Sequence, residues 1–138
     1  MTSKKYKISD SQLWYKIESD FAKNGGIYKL FCVDDNNEII EINRLLKTDP
    51  NGILYIEKAT SFLDRVINLK KSISPDYYSE NHECGIRYKN SDLIKSKFQF
   101  QHLEIELNGY EEIHLKEKEL LNNYEQEFGE LPPFNRNK

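Results

Sequence analysis

One side chain of the sequence has unusual chemistry for its position, a carboxylate within the apolar stripe of the last predicted helix. On a helical wheel that starts at Ile113 and turns by about 100° per residue, the apolar residues lie within one arc of about 100°. They are Leu120, Leu121, Tyr124 and Phe128. Glu117 falls near the centre of this arc, whereas Glu119 points to the opposite, charged side. A buried carboxylate must pair with a cation or coordinate a metal, because burial removes its hydration. Two interpretations follow, a salt bridge to Lys or Arg and a ligand-binding site.

The elements that would position this carboxylate are interleaved helices and short strands. The patterns predict helices at about 9–24, 61–73 and 110–128, strands at about 26–33, 38–42, 53–58 and 97–107, and a loop-rich stretch at 74–96 with a short strand at 85–88. Ser61 and Asp64 have the spacing of a helix-capping pair. The predicted fold class is α+β, with a small, mostly antiparallel sheet of about three core strands flanked by helices.

Length and composition set the broad class of the protein. The 138 residues predict a single domain over 1–138, with its core at about 25–135. No apolar run is long enough to cross a bilayer, and the first residues lack the apolar stretch of a signal peptide. Two cysteines are too few for a disulfide framework. We therefore expect a cytoplasmic protein without a membrane partner.

Several short motifs occur in an order that resembles the GIY-YIG nuclease superfamily. Gly-Ile-Tyr at 26–28 and Tyr-Ile-Glu-Lys-Ala at 55–59 are similar to its two signature strands, and Arg65 stands at the matching offset in the following helix. Glu-Lys-Glu-Leu-Leu at 117–121 resembles the family's later glutamate motif, and Pro-Pro-Phe-Asn at 132–135 its closing motif. The resemblance selects Glu117, the residue that the helical wheel also selects.

The resemblance implies a role in phosphodiester hydrolysis for each matched residue. Glu117 would hold one divalent ion, Mg²⁺ or Mn²⁺, and Arg65 would bind phosphate oxygens with its planar guanidinium group. Tyr28 or Tyr55 would orient or deprotonate the attacking water, and which of them is the base stays open.

The remaining matched residues would support this site. Lys58 would add positive charge beside the phosphate, and Asn135 would tie the C-terminal segment to the site. Ordinary explanations exist for each residue alone, because tyrosines are common in strands and lone charged side chains are mostly solvated.

The sequence departs from the family pattern in two places. The stretch between Tyr28 and Tyr55 is longer than the family's usual hairpin, which indicates an insertion at residues 34–52. Glu57 stands where the second motif has glycine, and strand alternation places it on the same face as Tyr55. This second carboxylate would either add a metal ligand or repel the phosphate.

The expected function is that of a metal-dependent endonuclease acting on DNA. Two alternatives remain, a catalytically silent GIY-YIG-fold module that binds nucleic acid or protein, and a small adaptor in which the motif matches are chance. The net charge of −3 predicts weak non-specific DNA binding by one chain. A second copy of the chain or a protein partner is therefore expected to assist.

Overall fold

A four-stranded antiparallel sheet forms the centre of the structure, a computed structural model that describes residues 3–76 and 82–136. Its strands are β1 (Ser3–Lys7), β2 (Gly26–Cys32), β5 (Tyr55–Ala59) and β6 (Leu103–Gly109), in the order β1-β6-β2-β5. The two-residue strands β3 (Ile42–Asn43) and β4 (Thr48–Asp49) pair separately within the predicted insertion. The α+β class is confirmed, but the sheet has four strands where about three were predicted.

The additional strand is β1, which the sequence pattern does not reveal. Only Tyr6 of this segment is buried, and the residues around it are lysines and a serine that remain exposed. Strand prediction depends on alternation of apolar residues, and one buried residue gives no alternation. Backbone pairing with β6 therefore determines this strand, and its lysines suit the edge of a sheet.

In the described part of the chain, five α-helices accompany the sheet: α1 (Leu13–Phe21), α2 (Phe62–Ile73), α3 (Glu83–Lys89), α4 (Asp92–Lys97) and α5 (Ile113–Phe128). The predicted capping of α2 is confirmed, because the Ser61 side chain accepts a hydrogen bond from the backbone N–H of Asp64. Gly129 ends α5 in the left-handed conformation, with φ of 83°. The predicted N-terminal helix is shorter than expected, beginning at Leu13 rather than near residue 9.

The predicted strand at 85–88 is wrong, because these residues belong to α3. His82 caps this helix by accepting a hydrogen bond from the backbone N–H of Cys84. Gly85 lies against α2 so closely that an added Cβ would be 2.3 Å from the Ser72 Oγ. The strand predicted at 97–107 begins only at Leu103, since α4 and one 3₁₀ turn occupy the preceding residues. Residues 77–81 of the predicted loop lie outside the described residues.

The two faces of the sheet pack against different helices. Tyr28, Leu30 and Tyr55 join a large apolar cluster with side chains of α1, α2 and α3. On the other face, Ile27 and Ile56 pack against Leu121 of α5. In the register of β2 with β5, Tyr28 lies opposite Glu57. The fold therefore brings α2 and α5 to opposite sides of β5, which is the last strand of the sheet.

Asp49 links α5 to the turn that precedes β5. Its carboxylate is fully buried and accepts hydrogen bonds from the backbone N–H groups of Asn51 (2.9 Å) and Ile53 (3.1 Å). It also accepts the hydroxyl hydrogen of Tyr124, at 2.8 Å. The two backbone bonds fix the turn ahead of β5, and the Tyr124 bond ties this turn to α5. Together they supply the donors that a buried carboxylate requires.

We expect Asp49→Ala to lower the free energy of unfolding by about 2 to 3 kcal/mol, because three donors, among them the buried Tyr124 hydroxyl, lose their acceptor. Asp49→Asn keeps an acceptor oxygen and should have a smaller effect. Urea denaturation measures both changes, with Asp35→Ala as a control at an exposed carboxylate. An Asp49→Ala variant as stable as Asp35→Ala would contradict this role.

A candidate active site at the edge of the sheet

An open cavity of about 600 Å³ lies beside β5. Five of the six residues singled out by the motifs line it, namely Tyr55, Lys58, Arg65, Glu117 and Asn135. The sixth, Tyr28, is fully buried and reaches the cavity only through its contact with Glu57. The structure thus brings together residues that are up to 80 positions apart in the sequence (55 to 135).

Glu117 lies between α5 and the free edge of β5, with its side chain 16 % exposed. Its Oε2 accepts a hydrogen bond from the backbone N–H of Lys58 at 2.8 Å. Its Oε1 lies 3.5 Å from the Lys58 Nζ, which gives the carboxylate a paired cation. Glu117 therefore forms a salt bridge with Lys58 at the mouth of the cavity, as the first of the two interpretations predicts.

Asn135 holds the C-terminal segment against the same edge. Its side-chain oxygen accepts from the backbone N–H of Ile56, and its amide donates to the Ile56 carbonyl, both at 2.9 Å. The amide thus replaces the strand that would otherwise pair with β5. Glu117 satisfies the next free N–H of this edge, that of Lys58, so side chains protect an exposed strand edge.

Glu57 is the most heavily hydrogen-bonded side chain of the site. Arg65 donates to it in a bidentate pair, from Nε to Oε1 at 2.7 Å and from one terminal nitrogen to Oε2 at 2.9 Å. Tyr55 donates to Oε2 at 2.8 Å, and the Tyr28 hydroxyl donates to Oε1. The expectation that Glu57 shares a face with Tyr55 is confirmed, and its carboxylate occupies the guanidinium fork.

His82 also belongs to this network and was not predicted from the sequence. It is fully buried, with Nε2 at 3.1 Å from the Tyr28 hydroxyl and 3.4 Å from Oε1 of Glu57. Its Nδ1 accepts the N–H of Cys84, so in the neutral ring the proton is on Nε2, facing the network. Local sequence offered no signal, because the packing of α3 on α2 determines where His82 lies.

The ionisation of the network follows from these bonds. Burial alone raises the pKa of the Glu57 carboxyl. Hydrogen bonds from His82, Arg65 and Tyr28 outweigh burial and hold that pKa well below its ordinary value. Burial and the Glu57 charge raise the pKa of the Tyr28 and Tyr55 hydroxyls well above 10. Both phenols are therefore protonated at neutral pH in this arrangement and act as hydrogen-bond donors.

The lowered pKa of Glu57 predicts a specific loss of stability in acid. The folded chain binds a proton at Glu57 less readily than the unfolded chain, whose Glu pKa is about 4.3. The stabilisation is therefore complete above that pH and decreases as the pH falls below it. We expect the stability difference between wild type and Glu57→Gln to shrink by about 1 to 3 kcal/mol between pH 7 and pH 2.

Chemical denaturation at a series of pH values measures this difference. Glu111→Gln, at an exposed carboxylate outside the site, is the matched control, because it removes the same charge and leaves the bonds of Glu57 intact. A difference between wild type and Glu57→Gln that stays constant from pH 7 to pH 2 would contradict the assignment.

The donor set for a metal ion is small. Within residues 3–76 and 82–136, no group of three or more His, Cys, Asp or Glu side chains is arranged to hold a metal. Mg²⁺, however, is often bound by one or two carboxylates together with waters and substrate phosphates. Glu117 at the cavity mouth fits that type of site, in which the substrate completes the coordination.

Comparison of the chain with protein-family models, with curated proteins and with solved structures finds no match. Among the described residues, none of the helices has the length and apolar character needed to span a membrane. The assignment of a function therefore depends on the motifs and on the geometry of this cavity.

Proposed function

We propose that this chain is a GIY-YIG-type endonuclease that hydrolyses phosphodiester bonds of DNA with Mg²⁺ or Mn²⁺ at Glu117. One observation carries the proposal. Tyr55, Lys58, Arg65, Glu117 and Asn135, which the motifs select from distant parts of the sequence, line one open cavity. Packing preferences alone do not require motif residues from β5, α2, α5 and the C-terminal segment to converge on one space.

The chemistry of these side chains supports phosphate binding. Arg65 is 35 % exposed. Its guanidinium group can donate to two oxygens of a phosphate, as it donates to the two carboxylate oxygens of Glu57 in this structure. Lys58, 38 % exposed at the opposite side of β5, adds a second positive charge. Tyr55 is a neutral donor at the cavity wall that can orient a water or a phosphate oxygen.

The proposed ion would be held by Glu117. Its Oε2 is engaged by a backbone N–H, whereas Oε1 has only the longer contact with the Lys58 ammonium in the described part of the chain. Oε1 is therefore the atom available to a cation. When bound, Mg²⁺ supplies positive charge to the phosphate oxygens as negative charge develops on them.

Nicking of supercoiled plasmid DNA tests the proposal. We expect open-circular product with Mg²⁺ or Mn²⁺ and none with EDTA, for the wild type and more strongly for Glu57→Gly. Absence of cleavage by both proteins with either metal, under conditions where they are folded, would refute the endonuclease.

A second candidate is a silent binding module on the same site, and the bonds of Glu57 favour it. The carboxylate already satisfies both phenols and the Arg65 fork, which are the groups that would bind the phosphate. This candidate predicts DNA binding at low salt that weakens with rising salt, without cleavage by the wild type or by Glu57→Gly.

The proposal also includes a reduced, cytoplasmic setting. Cys32 and Cys84 are both buried and unpaired, which supports a reduced setting.

A further inference from the structure

We infer that Tyr28, Tyr55, Arg65 and His82 form an oxyanion-binding site that the Glu57 carboxylate fills from within, so that a phosphate group binds there only after Glu57 leaves. The inference deepens the proposed function and, for a DNA phosphate as the ligand, rests on it. For a small oxyanion such as inorganic phosphate it is independent of any catalysis.

The first support is the convergence of donors on one carboxylate. Arg65 of α2 contributes two N–H donors to Glu57, and the tyrosines of β2 and β5 contribute two hydroxyls. The Nε2 of His82, which precedes α3, lies 3.4 Å from Oε1. Donors from four different segments thus surround a single pair of oxygens, an arrangement that suits any small oxyanion.

The second support is the burial of the donors behind Glu57. Tyr28 and His82 are fully buried and face the carboxylate, and Tyr55 is nearly so. Loss of Glu57 would leave these polar groups without their anionic partner, in a place where unsatisfied donors are costly. The site would therefore retain a strong preference for an anion.

The third support is access from solvent. Tyr55, Glu57 and Arg65 all line the open cavity, so an anion can approach the donors from the side of Arg65. The cavity of about 600 Å³ has room for a phosphate, but the carboxylate of Glu57 already occupies the fork. Glu57 and a bound phosphate therefore exclude each other.

This competition has a consequence for the proposed reaction. A substrate phosphate must displace a carboxylate that accepts at least four hydrogen bonds, so its apparent affinity is reduced by the small fraction of molecules in which Glu57 has left. Glu57 thus acts as an internal competitive inhibitor of phosphate binding at this site.

Phosphate binding by Glu57→Gly in metal-free buffer tests the inference, with calorimetry and thermal unfolding as readouts. The substitution removes the internal anion and leaves space for another. We expect inorganic phosphate to bind Glu57→Gly about tenfold or more tighter than the wild type, and to raise its Tm in a concentration-dependent way. Glu57→Gln is the matched control, because it fills the same space without charge and should not gain affinity.

A double variant, Glu57→Gly with Arg65→Gln, examines the donor set directly. It should lose the phosphate binding gained by Glu57→Gly. If Glu57→Gly is unfolded without ligand, Glu57→Ala and phosphate-dependent refolding replace the calorimetry. Refolding by phosphate supports the inference, whereas variants that stay unfolded at all phosphate concentrations overturn it.

The outcomes separate this inference from the proposed function. Folded Glu57→Gly that binds phosphate no better than the wild type or Glu57→Gln overturns the oxyanion site, even when the wild type nicks DNA. Conversely, phosphate binding by Glu57→Gly, with no DNA cleavage by either protein with either metal, keeps the oxyanion site and refutes the endonuclease.

Discussion

Replacing Glu117 by Gln should reduce metal-dependent nicking of plasmid DNA by about 100-fold or more, because it removes the charged oxygen that would hold the cation. The fold should persist. The Gln side chain keeps an oxygen that can accept the Lys58 backbone N–H, the bond that Glu117 makes at 2.8 Å. The unfolding free energy is therefore expected to change by less than about 1 kcal/mol, since the ion pair with Lys58 is partly exposed.

Glu119→Gln is the matched control for this substitution. It removes the same charge from the same helix, but Glu119 is exposed and pairs with Lys116 one turn away. Initial nicking rates with Mg²⁺ and with Mn²⁺, in the wild-type and Glu57→Gly backgrounds, measure the effect. Equal rates for Glu117→Gln and Glu119→Gln would show that Glu117 only caps the edge of β5.

Arg65→Ala should affect both activity and stability. Nicking should fall by about 100-fold or more, because the substitution removes the fork proposed to bind the phosphate. The unfolding free energy should fall by about 2 to 3 kcal/mol, since the mostly buried Glu57 loses its bidentate partner. Arg65→Lys keeps the charge without the fork, so we expect it to recover more stability than activity.

Lys71→Ala is the control for Arg65→Ala, because it removes an exposed cation from the same helix. Activity is compared at a temperature where circular dichroism shows each variant fully folded, so that unfolding does not lower the rate. An Arg65→Ala variant that is less stable but nicks DNA at the wild-type rate would limit Arg65 to a structural role as the partner of Glu57.

Part of this site was predictable because local patterns encode it. Strand alternation places Glu57 beside Tyr55, and helical periodicity places Glu117 on the face of α5 that meets β5. Ser61 marks the start of α2, and thereby the position of Arg65 one turn later. In each case the information lies within a few residues of one element, where geometry is regular.

The rest of the site depends on packing between distant segments. The sequence at 82–89 predicts loop and strand, whereas the packing of α3 on α2, with Gly85 at their contact, places His82 behind Tyr28. The partners of Glu57 were not predictable for the same reason. A carboxylate in a strand reveals its face but not whether a metal, a phosphate or an arginine lies opposite, and here Arg65 does.

Under the proposed function, Glu117 holds a divalent cation beside the DNA phosphate in this cavity. Anomalous diffraction from crystals grown with Mn²⁺ and a short, cleavage-resistant phosphorothioate DNA duplex tests it most directly. We expect a Mn²⁺ peak within about 2.5 Å of a Glu117 oxygen, with a phosphate group next to Arg65. Manganese found only at other carboxylates, with Glu117 still bound to Lys58 alone, would contradict it.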